Sequence, residues 1–262
     1  MWVSMRRLTL IAMACSTVLL GAGIARAEVF GDAQLRVAFS GNFVPKVLPR
    51  DRNVPVQVSL NGAIRTPEGV RPPQLRRISF AVNRYGRLST AGLPTCRAGR
   101  IESTDSKLAL ERCRNALVGQ GDFGASLESP NLKTFPVEGK VLAFMSRKHD
   151  RPAILLHIHA SNPVEATVVL VFKISHPPHG RFGTVMTTSI PRIASDLGYV
   201  TDISLTFGRK FRVDGEQRSL ISARCAAPAG FPGAIFTFAR GVFSFAGSKQ
   251  VTTSLIRDCV VR

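Results

Sequence analysis

Val56-Gln57-Val58-Ser59-Leu60-Asn61 alternates apolar and polar side chains, the period-two signature of a strand with one dry and one wet face. Ile78, Phe80 and Val82 alternate with Arg77, Ser79 and Ala81 in the same way. Residues 166–174 are an almost unbroken, valine-rich apolar run, which predicts a central strand buried on both faces. Further strands are expected at 183–190, 201–207, 211–213, 219–223, 234–245 and 250–257. Turn dipeptides separate them: Asn61-Gly62, Pro72-Pro73, Tyr85-Gly86, Pro177-Pro178, Asp214-Gly215 and Pro232-Gly233. One segment breaks the rhythm. Over 103–117, Leu108, Leu110, Cys113 and Leu117 fall at roughly helical spacing, with Ser103 or Thr104 as the cap. Many short strands, clustered turns and a single short helix predict an all-β fold: an antiparallel β-sandwich with jelly-roll or immunoglobulin-like layering.

The amino terminus is expected to be a secretory signal peptide spanning 1–27. Arg6 and Arg7 form its basic head, residues 8–24 carry no charge, and Ala25-Arg26-Ala27 places small residues at the cleavage positions. An apolar run of ~17 residues is short for a permanent span, which needs about 20, so no membrane span is expected after cleavage before Glu28. Residues 28–262 then form one β-sandwich-type domain. If the chain divides at all, the division is expected near 146–151 or 175–183.

Export changes how the cysteines are read. Cys15 leaves with the leader, and Cys96, Cys113, Cys225 and Cys259 remain, an even number suited to two disulfides in an oxidising compartment. Three connectivities are open; Cys96–Cys113 and Cys225–Cys259 are favoured because each closes a loop of modest length. A four-thiolate zinc site is the alternative, but the chain has no C-x2-C pair.

All five histidines lie between residues 149 and 179. His157-Ile158-His159 puts two imidazoles on one face of a strand, where they could converge on a metal with His176 and His179 as further donors. Metal-binding β-folds that use such a pair would need further ligands. The cupin pattern wants a glycine where this chain has Arg151 and a glutamate nearer than Glu165; a copper–zinc dismutase pattern wants more histidines than are present. The plainer reading places His157 and His159 on the wet face of a strand, with His176 and His179 in a solvated turn. Hydrolase and phosphate-loop signatures (G-x-S-x-G, H-E-x-x-H, G-x-x-x-x-G-K) are absent. Carboxylate pairing among Glu128, Glu138, Glu165, Asp196 and Asp202 is not singled out by spacing. The reading therefore leans away from an enzyme and assigns no catalytic residue and no cofactor.

Charge is the remaining lead. The full chain carries +18, and the leader takes away three arginines and no acid, leaving +15. Such a field attracts polyanions, anionic envelope polymers among them. Specific nucleic-acid recognition is not expected, because the one tryptophan leaves with the leader and only two tyrosines supplement the phenylalanines as stacking surfaces. The arginines run from Arg36 to Arg262 without a block, so clustering has to come from the fold.

Several segments carry a likeness to known sequences: Gly92-Leu93-Pro94-Thr95-Cys96, Cys113-Arg114-Asn115-Ala116-Leu117-Val118-Gly119, His157-Ile158-His159, Leu197-Gly198-Tyr199-Val200 and residues 225–233. Through them the chain resembles an uncharacterised family of exported, basic, disulfide-containing proteins from soil actinobacteria. The resemblance implies secretion or attachment to the cell envelope, and disulfides; it transfers no catalytic residue. The reading is a secreted, non-enzymatic surface or extracellular binding or structural protein, with a metal-binding protein or metalloenzyme built on His157 and His159 as its rival.

Overall fold

The computed structural model describes residues 28–68, 70–129, 132–163, 165–192 and 197–262. The expected signal peptide lies outside the described residues. In chain order the first strands are β1 (Glu28–Gly31), β2 (Arg36–Val44), β3 (Val47–Leu48), β4 (Val54–Pro55), β5 (Gln57–Arg65), β6 (Leu75–Asn83) and β7 (Gly86–Leu88). Helix α1 (Ser106–Cys113) follows, then β8 (Leu117–Ser129), β9 (Leu132–Lys148), β10 (Arg151–Asn162), β11 (Ala166–Ser175) and β12 (Phe182–Ser189). The chain closes with β13 (Gly198–Phe207), β14 (Lys210–Val213), β15 (Glu216–Ser219), β16 (Ile221–Ala223), β17 (Gly233–Phe245) and β18 (Gln250–Val261). No helix among the described residues is long and apolar enough to cross a membrane.

The all-β, antiparallel expectation holds; the layering differs. Instead of two sheets pressed together, one 13-stranded sheet runs β1-β2-β5-β13-β8-β9-β10-β11-β12-β6-β17-β18-β3. Among the described residues only the short β18–β3 pairing is parallel. The sheet curls until β18 comes back beside β1 and β2. There a side chain replaces the ladder: Arg257 Nε donates to the Gly41 carbonyl at 2.6 Å and Nη1 to Glu28 Oε1 at 3.2 Å. Alternation cannot distinguish these architectures, because a sandwich and a rolled sheet bury the same every-other residue.

The concave face is the main core. Phe39, Phe43, Phe238 and Phe243 crowd one region and Ile154, Leu156, Leu170 and Phe172 another, with Leu60, Ile78 and Phe80 packed against both. A three-stranded sheet, β4-β16-β7, contributes Leu88 and Ile221 to the second region. On the convex face, the segment carrying α1 lies on β9, β10 and β11. Cys96, Ile101, Ala109 and Cys113 there bury Leu142, Phe144 and Leu155.

Both favoured disulfides are present: Cys96–Cys113 and Cys225–Cys259, with Cα–Cα distances of 5.6 and 5.7 Å. The helix is shorter than 103–117. Asp105, not Ser103 or Thr104, caps it by accepting from the Leu108 N–H at 2.6 Å, and a 3-10 turn at 114–116 leads into β8. The Thr104 hydroxyl donates instead to the Ile101 carbonyl, and Thr104 stands one residue before the capping position. The strand expected at 219–223 is split at Leu220, whose N–H turns to the Arg209 carbonyl. On β11, Leu170, Phe172 and Ile174 are buried inside while the opposite face is covered at Val169 and Val171 and wet at Lys173. The two places proposed for a division are the hairpin turns β9–β10 and β11–β12, each joining hydrogen-bonded strands.

Candidate functional site

The histidine pair sits on β10 as alternation requires. Ile154, Leu156 and Ile158 point into the concave core, and His157 and His159 point the other way, under the segment that leads into α1. The face is dry, against the wet-face reading: His157 is 0% exposed and His159 7%. The sequence could not show this, because the covering segment is brought over by the fold and held by Cys96–Cys113.

The hydrogen bonds assign each ring a tautomer. Thr104 spends its hydroxyl proton on the Ile101 carbonyl, so His157 Nε2–H donates to the Thr104 carbonyl at 2.9 Å. Thr167 donates to that same carbonyl at 2.8 Å, so His159 Nδ1–H donates to Thr167 Oγ1 at 2.9 Å. Thr104, expected only as a helix cap, is thus the acceptor on which both rings converge, His157 directly and His159 through Thr167. The arrangement latches the start of α1 to β10 and β11. His157 Nδ1 is buried without a partner. Burial also holds the His157 pKa below its ordinary value, since charging the ring would strand a cation away from water.

The four candidate metal ligands do not come together. The His157 and His159 rings are stacked, 6.2 Å apart with planes 21° from parallel. His157 pairs with Val169 in the β10–β11 register, whereas His176 lies seven residues further along, roughly 20 Å away at strand rise. His176 Nδ1 faces the Gly183 carbonyl at 3.2 Å, and His179 is exposed in the turn. Among the described residues no group of three or more His, Cys, Asp or Glu is arranged to hold a metal.

The latch has a pH signature. A ring whose pKa is lowered on folding leaves stability intact above the unfolded value of 6.5. As pH falls below 6.5 the unfolded chain takes up a proton the folded chain refuses, and stability declines by at most about 1.4 kcal/mol per pH unit until the folded pKa is reached. Urea melts between pH 7.5 and 5 on the wild type and on His157→Gln, which keeps an N–H donor but does not titrate, should show a shallower decline in the variant. Parallel declines would exclude His157 as the source.

The second cluster is assembled by topology from residues far apart in sequence. Neighbouring strands β9, β10, β11, β12 and β6 bring three turns to one end of the curled sheet. They carry Arg147, Lys148 and Arg151, then Arg181, then Arg84 and Arg87, all exposed. The Arg84 N–H bonds the Arg181 carbonyl at 3.0 Å, so two of these turns touch. Asp150 is the sole acid within the three turns. Their guanidinium groups are oriented by neutral partners: Arg147 by the Asp150 carbonyl at 2.7 Å, Arg84 by the Gly180 carbonyl, Arg181 by Thr237 Oγ1 at 3.2 Å. Among the described residues none of the six forms an ion pair. The opposite end mixes signs, with Arg71 on Glu128 and Lys249 on Asp32, both at 2.9 Å. No protein family, curated protein or solved structure was found to match this chain.

Proposed function

We propose that the chain is an exported, non-catalytic binding protein that holds anionic polymers at its basic end. One observation carries the reading: three neighbouring turns bring six exposed cations together with a single acid among them, and among the described residues none of the six forms an ion pair. Neutral partners fix the directions of three of these groups without cancelling their charge, which suits repeated phosphate or carboxylate groups along a polymer. The likeness to exported basic proteins and the two disulfides agree with a place outside the cytosol.

Heparin and polyglutamate serve as probes. Near an anionic surface each Lys or Arg contributes about 1 kcal/mol, so the triple change Arg147→Gln, Lys148→Gln, Arg151→Gln is expected to weaken binding by about 100-fold at low salt. A two-charge change at the other end, Arg36→Gln with Arg77→Gln, compared per charge removed, should leave retention on heparin nearly unaltered. Equal losses from both ends would mean that bulk charge acts rather than the rim, and the reading would fail.

A further inference from the structure

The centre of the curled sheet is less filled than the patch beneath α1. Leu60, Phe80, Phe123, Met186 and Ile203 point inward, yet each remains only half-buried. Beneath α1, Phe144 is 0% and Leu155 1% exposed. The space responsible is a cavity of about 120 Å³ flanked by two others of about 60 and 130 Å³. They lie in series. The first shares Phe39, Leu60, Phe80 and Met186 with the second, and Phe123, Ile158, Leu170 and Val200 with the third. The row ends at Leu88 and Ile221 of the small sheet on one side. On the other it reaches Pro72, Pro73, Pro191 and Tyr199, between turns at the end remote from the basic rim.

The walls are apolar almost throughout. Asn61, Thr201 and Asp202 border the first cavity, but their polar groups are engaged with each other or with Ser40: Asn61 Nδ2 to Ser40 Oγ at 3.5 Å, Thr201 Oγ1 to Asp202 Oδ2 at 2.8 Å. Water needs two to four polar partners to occupy such a space, and an apolar void of about 150 Å³ walled by Leu, Ile and Phe stays dry and takes up benzene-sized guests. Folded interiors ordinarily leave few voids larger than a water molecule. Here one larger side chain at Ile203 or Met186 would fill the gap, and the chain does not use one.

We propose that this interior is a binding site for one linear hydrocarbon chain, acyl or isoprenyl, inserted from the Pro72–Tyr199 end. The small volumes suit a single chain, their alignment favours a long guest over a round one, and polar side chains border the row mainly towards its ends, at Arg87 and Thr184 on one side and Gln74 and Tyr199 on the other. One end of the row borders the rim at Arg87, but the two act differently: polymer binding acts through exposed cations, and this site acts through inward-facing apolar surface.

The test uses the disulfide-bonded chain and cis-parinaric acid, a fluorescent polyene fatty acid, in about 0.5 M NaCl so that the rim is screened. Saturable fluorescence enhancement with one site per chain is expected. Displacement by palmitate but not farnesol assigns an acyl guest, and the reverse an isoprenyl guest. Ile203→Trp and, separately, Met186→Phe fill the space. Each is expected to weaken binding at least tenfold, while a thermal melt confirms that the variant is folded. The absence of saturable binding to the wild type, or undiminished binding in whichever filled variants fold, overturns the proposal.

Discussion

Gly121→Val is expected to abolish folding. Gly121 lies on the concave side of β8, paired with Leu205 of β13, and a Cβ there would sit 1.9 Å from the Ser204 carbonyl oxygen. The obstacle is backbone, so no rotamer change relieves it. The β8–β13 ladder would have to part, and β13 is what joins the β1-β2-β5 flank to the rest of the sheet. A loss above about 5 kcal/mol, beyond the ordinary range of single substitutions, would use up the reserve of a domain at the low end of the usual span of about 5–15 kcal/mol. Circular dichroism should show no cooperative melt. Gly99→Ala is the matched control, since nothing lies within 4 Å of a Cβ at that position, and it should shift stability by less than about 0.5 kcal/mol. A Gly121→Val protein with a normal melt would show that β8 and β13 do not approach so closely.

The second large effect concerns Cys225–Cys259. Its partners are 34 residues apart, and the chain-entropy relation for a loop of that length gives about 4 kcal/mol. Both sulfurs are fully enclosed in the core region of Phe39, Phe43 and Phe238, so their loss also opens space there. The double change Cys225→Ala, Cys259→Ala should lower the urea midpoint strongly. Removing Cys96–Cys113, which spans 17 residues, should cost nearer 3 kcal/mol and also release the α1 segment from the histidines. If dithiothreitol leaves the wild-type midpoint unchanged, neither crosslink supports the fold as argued.

The strands were legible because alternation is local. Gln57–Arg65, Leu75–Asn83 and Gly233–Phe245 appear where period two or apolar runs place them. Arg36–Val44 and Leu132–Lys148 are harder to read: Ser40-Gly41 interrupts one, and Pro136 with Gly139 interrupts the other. The paired face of His157 and His159 was legible for the same reason. Their burial was not, because Thr104 and Thr167 reach them from other elements. Nor could the arginine series from Arg84 to Arg181 be known as a rim before the order β9-β10-β11-β12-β6 was known.

What the chain itself determines is a set of two-faced antiparallel strands, a short helix between Cys96 and Leu117, and cysteines whose spacing favours two modest loops. Side-chain period and loop length are properties of neighbours in sequence. Tertiary structure alone decides that the strands roll into one curled sheet, that two histidines become a dry latch, that scattered cations meet at one end, and that the centre stays hollow. Each of these depends on strand order and curvature, which bring together residues with no local pattern in common.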